Sequence, residues 1–164
     1  KALGPVQEVT GYSKKTFDKR NVENPEVNYK EINVDVDTHY FGLLKFKSGI
    51  IVDFQVTFDI WKPYDPKLEI YGDKSSLKLA DPNNYDGEIF IFDKDLYQWE
   101  LIYSSTDSQN NFYRGLGVVN MVKAIKNNTV SEDELSVPFH ILEVMCALDS
   151  YNIDSGWKKI SQQF

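Results

Sequence analysis

The sequence predicts an α+β fold, in which two or more helices pack on one face of a mostly antiparallel, open-faced sheet. Two observations lead to this class. Short segments with strand-like alternation, separated by turn residues, fill roughly the first two thirds of the 164-residue chain, and two segments with helical spacing follow. Strands that precede helices, rather than alternate with them, are typical of an antiparallel sheet with helices gathered on one side.

The clearest strand signal is a hairpin in the first half. A first strand is expected at about 6–12, and the charged stretch 14–25 is expected to be a loop. Strands at 40–46 and 50–60 then flank Lys47-Ser48-Gly49, where Gly49 can supply the positive φ of a hairpin turn.

Residues 50–60 alternate between apolar and polar side chains. The apolar set shares one face, and Asp53, Gln55, Thr57 and Asp59 share the other. This pattern predicts a sheet with one covered and one polar face.

Four further strands complete the sheet, at about 67–71, 76–79, 88–92 and 97–103. Residues 89–92 are apolar on both faces, so both sides of that strand need a cover. A partner subunit and a loop of the same chain are equally good candidates for that cover.

Two helices are expected late in the chain. Val118, Met121, Val122 and Ile125 follow helical spacing, and Asn127-Asn128 is a plausible end. The second helix is expected to carry Pro138 in its first turn, with Ser136 as cap. A short last strand is expected within 157–160.

Composition excludes several classes of protein. The net charge is −7 and the basic residues are dispersed, which is unlike a nucleic-acid-binding face. No apolar run approaches the ~20 residues of a membrane span. The single cysteine, Cys146, excludes a disulfide framework and is expected to be a buried, inert thiol, so we expect a cytoplasmic setting. Because the only methionines are Met121 and Met145, the chain is expected to be a piece of a longer protein.

An ordered set of motifs runs through most of the chain. The most specific is Leu68-Glu-Ile-Tyr-Gly72 followed by Asp81-Pro-Asn83. The others are Leu3-Gly-Pro-Val6, Thr38-His39 with Gly42 and Ser48-Gly49, Phe58-Asp-Ile-Trp61, Arg114-Gly-Leu-Gly117, and His140-Ile-Leu-Glu-Val-Met145. Together they resemble the C-terminal domain of the glucose–fructose oxidoreductase / inositol dehydrogenase / MocA (Gfo/Idh/MocA) family of NAD(P)-dependent oxidoreductases. Ser75, where a glycine is usual, and Pro138 depart from the family pattern.

The resemblance implies a glyceraldehyde-3-phosphate-dehydrogenase-like C-terminal domain over residues 1–164. It implies that the family's N-terminal Rossmann domain, with its NAD or NADP site and catalytic residues, lies outside this chain. Catalytic and cofactor-binding residues are therefore not expected here, and the spacing of the two histidines and the single cysteine does not suggest a metal site. The implied function is substrate binding and homo-oligomerisation, through the open sheet face, for a sugar or polyol dehydrogenase. The alternative is a non-enzymatic binding or scaffold domain of the same fold.

Five residues are candidates for contact with a sugar-like substrate: Trp61, Asp59, Lys62, Arg114 and His39. Trp61 would supply an aromatic plane beside hydrogen-bonding groups, although packing in an interface explains it slightly better. Arg114 could bind an anionic group or form a salt bridge within the fold. His39 could reach a substrate, but a hydrogen-bonded structural role fits it better. His140, in the second helix, is expected to be a satisfied packing residue.

Overall fold

The computed structural model describes residues 3–21, 26, 31–61, 68–82, 86–105, 115–129, 133–149 and 156–161. The chain divides into two compact units. The first comprises Lys1–Ile60 with Val130–Phe164, and the second comprises Trp61–Thr129.

The first unit is built on a four-stranded antiparallel sheet with the strand order β10-β1-β4-β5. Its strands are β1 (Val6–Lys14), β4 (His39–Phe46), β5 (Ile51–Thr57) and β10 (Lys158–Lys159). The hairpin between β4 and β5 confirms the prediction. Gly49 has φ of 87°, and the turn is closed where the Phe46 amide donates to the Ile50 carbonyl at 2.9 Å.

A two-stranded ribbon, which the sequence did not predict, also belongs to the first unit. β2 (Lys19–Asn21) lies inside the stretch expected to be a loop, and it pairs with β3 (Glu31–Asn33), which lies beyond that stretch. The Val34 amide donates to the Asp18 carbonyl at 2.8 Å, which extends the pairing by one bond. The Lys19 ammonium also donates to Glu31 Oε1 at 2.7 Å across the ribbon, and these short polar strands leave no apolar alternation to detect.

One helix, α2 (Asp133–Asp149), packs against β1 and closes the core of the first unit. The buried apolar side chains of this core come from β1, β4, α2 and the residue after β10: Val6, Val9, Phe46, Val144 and Ile160. His140 on α2 is 3% exposed, and its Nε2 accepts a 3.0 Å hydrogen bond from the Val6 amide. This confirms His140 as a satisfied packing residue.

The start of α2 corrects one expectation. The helix begins at Asp133, so Pro138 lies inside it rather than in its first turn, and Ser136 is a helical residue rather than a cap. A proline inside a helix removes one intrahelical hydrogen bond, so the sequence alone argues against this placement. Packing of the helix in the fold can offset that loss.

The expectation of a buried thiol is also wrong, because Cys146 is exposed.

The second unit contains a four-stranded antiparallel sheet with the order β6-β7-β8-β9. Its strands are β6 (Glu69–Tyr71), β7 (Ser76–Lys78), β8 (Gly87–Asp93) and β9 (Gln98–Ser105). The β8–β9 turn forms around Lys94-Asp95 as predicted, and Asp93 Oδ1 accepts from the amides of Asp95 at 2.7 Å and Leu96 at 2.9 Å. Phe92 meets Tyr97 and Trp99 edge-on, with ring centroids 5.3 and 5.5 Å away.

Helix α1 (Leu116–Lys126) also lies in the second unit, and Asn127 is its C-cap, as the Asn127-Asn128 signal predicted. Four of its predicted stripe residues are between 45% and 67% exposed: Val118, Met121, Val122 and Ile125. The described residues thus form mostly antiparallel sheets with two helices, and the predicted α+β class is confirmed. None of the described helices is long and apolar enough to span a membrane.

Candidate functional site

Polar side chains converge where β4 begins and β5 has just ended. Thr38 precedes β4, and its hydroxyl donates a 2.7 Å hydrogen bond to Asp59 Oδ2. Thr38 is 6% exposed and the Asp59 side chain 7%, so this bond is shielded from water. The alternation in 50–60 had placed Asp59 on a polar face, and the structure covers that face at this end.

The second oxygen of this carboxylate faces a cation from the ribbon. Arg20 Nη1 lies 3.9 Å from Asp59 Oδ1, which is buried and accepts no well-formed hydrogen bond from the described residues. The neighbouring Thr16 hydroxyl, then Thr38 and the charges of Arg20 and His39, lower the pKa of the Asp59 carboxyl against the opposing effect of desolvation. Asp59 therefore acts as an anion that ties together β2, the β1–β4 connection and the end of β5.

His39 extends this cluster to the open face of the sheet. Its Nδ1 lies 3.0 Å from Thr57 Oγ1, and the imidazole tautomer sets which of the two donates. Thr57 Oγ1 also accepts the Asp59 amide at 3.0 Å. His39 is half-buried, and its ring meets Phe41 edge-on at 6.2 Å.

Beside His39, the open face carries a shallow depression of about 480 Å³. It lies on the β4–β5 hairpin and is lined by His39, Phe41, Gly42, Leu43, Asp53, Phe54 and Gln55. Phe41 is 49% exposed and contacts Tyr12 at 5.8 Å. An aromatic ring next to a carboxylate, an amide and an imidazole can hold a small polyhydroxylated molecule or a subunit partner.

The structure brings two of the five candidate substrate residues together, namely His39 and Asp59, with Thr57 as the bridge. Trp61 is fully exposed at 101% and has no packing role among the described residues. Lys62 and Arg114 lie outside the described residues.

Sequence reasoning missed the partners that organise this cluster. The sequence showed Thr38 only as part of a motif and Thr57 only as one of the alternating polar residues. Arg20 was one of the dispersed basic residues. No local pattern in the sequence signals these contacts. Thr38 precedes Asp59 by 21 residues, and Arg20 precedes it by 39. Only the strand pairing brings them within reach.

Comparison with known proteins finds one family model that matches the first part of the chain. Residues 2–78 match the family model described as the GFO/IDH/MocA C-terminal domain. The resemblance to that domain is confirmed. The match covers β1 to β7, so it includes the cluster around Asp59 and three of the four strands of the first sheet.

Solved structures of levoglucosan dehydrogenase are similar to this chain in fold. The apo form superposes with a TM-score of 0.68 at 14% identity, and covers 96% of this chain and 46% of that one. A complex with NADH and L-sorbose gives a TM-score of 0.67 at 13% identity, covering 96% and 46% of the two chains. The chain thus spans less than half the length of these structures. No curated protein matches the sequence significantly.

The described residues do not fit a dinucleotide. All strand pairs among them are antiparallel, so this part of the chain contains no parallel βαβ unit to place phosphates at a helix N-terminus.

Proposed function

We propose that this chain is the substrate-side and oligomerisation domain of an NAD(P)-dependent oxidoreductase that acts on a sugar or polyol. The observation that carries the proposal is the match of residues 2–78 to the GFO/IDH/MocA C-terminal domain. The fold likeness to levoglucosan dehydrogenase supports it, since structures of that enzyme were obtained with NADH and L-sorbose.

In the parent enzyme, a separate Rossmann domain would hold the cofactor and the catalytic residues. A hydride would pass between the nicotinamide and a hydroxyl-bearing carbon of the substrate, and a proton would leave or join the hydroxyl oxygen. This chain would shape the substrate pocket, and by itself it would neither bind NAD(P) nor turn over substrate. Its single cysteine favours a cytoplasmic setting.

Among the five candidate substrate residues, the contacts suggest different roles. His39 is half-buried, with Nδ1 engaged by Thr57, which leaves Nε2 as the nitrogen to meet a hydroxyl. Trp61 offers a fully exposed ring for stacking on a sugar. Asp59 is better suited to positioning His39 through Thr57 than to touching substrate, because its carboxylate is buried and bonded. Lys62 and Arg114 remain candidates from the sequence alone.

For oligomerisation we propose the open face of the first sheet. Four apolar side chains there are between 37% and 53% exposed: Tyr12, Phe41, Leu43 and Ile51. Their register places them on one surface, with Tyr12 opposite Phe41 on neighbouring strands. An exposed apolar sheet face rimmed by polar groups such as Asp53 and Gln55 is typical of a subunit interface.

The test is a dehydrogenase assay on the full product of the gene, with NAD⁺ or NADP⁺ and a panel of sugars and polyols that includes levoglucosan and L-sorbose. Turnover that depends on cofactor and substrate, and that falls on His39→Ala or Trp61→Ala through a raised KM, would support the proposal. If no cofactor is bound at all, the scaffold alternative is favoured instead.

A further inference from the structure

An apolar groove of about 400 Å³ lies in the first unit, on the side of the sheet opposite to the open face. Its walls come from helix α2 and from strands β4 and β5: Tyr40, Phe54, Val56, Leu142, Met145, Cys146, Leu148 and Asp149. Most of these side chains are aliphatic, aromatic or thioether groups. Its volume falls in the range of small-molecule sites in proteins.

The groove exists because α2 covers only part of the sheet. The helix packs on β1, whereas β5 is the edge strand two positions away. Val56 on β5 is therefore 55% exposed, and Leu142 and Met145 on the facing side of α2 are 53% and 60% exposed. An apolar body lying between them would remove these side chains from water.

One end of the groove is polar and negative. The Tyr40 hydroxyl donates a 2.7 Å hydrogen bond to Asp149 Oδ1, and this bond raises the pKa of Tyr40 to about 12. The tyrosine therefore stays protonated as a donor, and of these two groups the carboxylate carries the charge.

The position of Asp149 at the C-terminus of its helix adds to the negative electrostatic potential at this end of the groove. It is the last residue of α2, where helix carbonyls already favour a cation, and the last turn contains no basic residue. Among the described residues no Lys, Arg or His pairs with Asp149. Lys158, which reaches this end of the helix, donates to the Ala147 carbonyl at 3.2 Å.

We propose that this groove binds a small amphiphile made of an apolar body and an ammonium head. The body lies between Val56, Leu142 and Met145, and the head donates to Asp149 beside Tyr40. An anion of the same length is disfavoured, because its head would meet the Asp149 carboxylate at the helix C-terminus.

Cys146 provides a direct reporter, since it lines the groove, is exposed and is the only cysteine in the chain. The experiment measures the rate at which uncharged iodoacetamide alkylates this thiol in the presence of n-hexylammonium, hexanol or hexanoate. We expect hexylammonium to slow alkylation severalfold at saturation, and hexanoate at the same concentration to leave the rate unchanged.

Two substitutions test whether the charge of Asp149 contributes to binding in addition to the apolar walls of the groove. Asp149→Asn should raise the hexylammonium concentration needed for half-protection by about fivefold, the upper range for an exposed ion pair. Asp73→Asn removes one charge from the exposed β6–β7 turn and should behave as the unmodified chain does. Thermal unfolding of each variant checks folding, and methyl chemical shifts of Leu142 and Met145 report binding without thiol chemistry. The proposal is overturned if hexanoate protects the thiol as well as hexylammonium does, or if Asp149→Asn leaves the half-protecting concentration unchanged. It is also overturned if hexylammonium gives no protection and the methyl signals do not move.

Discussion

The hydroxyl of Thr38 donates a 2.7 Å hydrogen bond to the Asp59 carboxylate, and so joins the residue before β4 to the segment after β5. The backbone repeats this connection, because the Phe58 amide donates to the Thr38 carbonyl at 2.9 Å. The open end of the β4–β5 hairpin is thereby closed by a buried ion that also meets Arg20 from the ribbon. His39 is joined to this cluster through Thr57, whose hydroxyl oxygen accepts the main-chain amide of Asp59.

The first prediction concerns pH. The folded-state pKa of Asp59 is lowered from 3.8, so the carboxylate stabilises the fold above that pH, and the contribution is lost as the pH falls through the folded-state value. Asp59→Asn should lower the midpoint of thermal unfolding at pH 6. The difference from the unmodified chain should shrink below about pH 3.8.

Melting curves by circular dichroism between pH 3 and 6 measure this difference. Asp53→Asn, which removes an exposed carboxylate from β5, is the matched control for loss of one charge. A difference between Asp59→Asn and the unmodified chain that stays constant down to pH 3 would show that the charge of Asp59 is not what stabilises this end of the sheet.

Much of this fold could be predicted because its signals are local. The β4–β5 turn needs a residue with positive φ, and Gly49 is where the sequence places one. The ribbon could not be predicted, because β2 and β3 are three residues each and lack an apolar alternation. The start of α2 was misplaced because Pro138 usually marks a first turn, whereas here it lies inside the helix.

The candidate site was predictable only in part. His39 and Asp59 were chosen for their chemistry at the ends of strands, and the structure joins them through Thr57. The burial of Asp59 could not be predicted, since it depends on Arg20 and Thr38 arriving from distant parts of the chain. The sheet alternation likewise failed at Phe58, which was expected on the covered face and is 69% exposed.

The second prediction concerns two glycines that face each other across β1 and β4. Gly11 pairs with Gly42, and a Cβ on Gly11 would lie 2.6 Å from the Phe41 carbonyl oxygen, while one on Gly42 would overlap the Thr10 carbonyl oxygen. Gly42→Ala should therefore lower the free energy of unfolding by about 1–3 kcal/mol through overpacking.

Urea titration measures this loss. Gly117→Ala in α1 is the matched control, because a Cβ there meets nothing within 4 Å and alanine favours the helix by up to about 1 kcal/mol. If both variants proved equally stable, the close approach of β1 and β4 would not be a real constraint on this sheet.

The third prediction concerns the bond between α2 and β1. His140 Nε2 accepts the Val6 amide in the buried core, at 3.0 Å. His140→Leu removes this acceptor and should cost about 1–3 kcal/mol of unfolding free energy, whereas His140→Gln can still accept and should cost less. Chemical denaturation of both variants tests this order, and a leucine variant as stable as the glutamine variant would contradict it.

The fourth prediction concerns the open face. Phe41→Glu puts a charge into the centre of the proposed interface, and we expect it to convert a dimer into a monomer. Tyr97→Glu, at an 84% exposed position in the β8–β9 turn, is the matched control and should leave the dimer intact. Light scattering at several protein concentrations measures the oligomeric state of each variant. An unmodified chain that is monomeric at every concentration would rule out this interface.

We propose that this chain supplies fold, substrate contacts and subunit contacts to an oxidoreductase whose cofactor chemistry lies elsewhere. The most direct measurement compares the 164-residue chain with the full product of its gene, by following NAD(P)H absorbance with sugars and polyols and by titrating NADH fluorescence. We expect the full product to bind NAD(H) or NADP(H) and to turn over at least one substrate, and the isolated chain to do neither. Cofactor-dependent turnover by the isolated chain would contradict it.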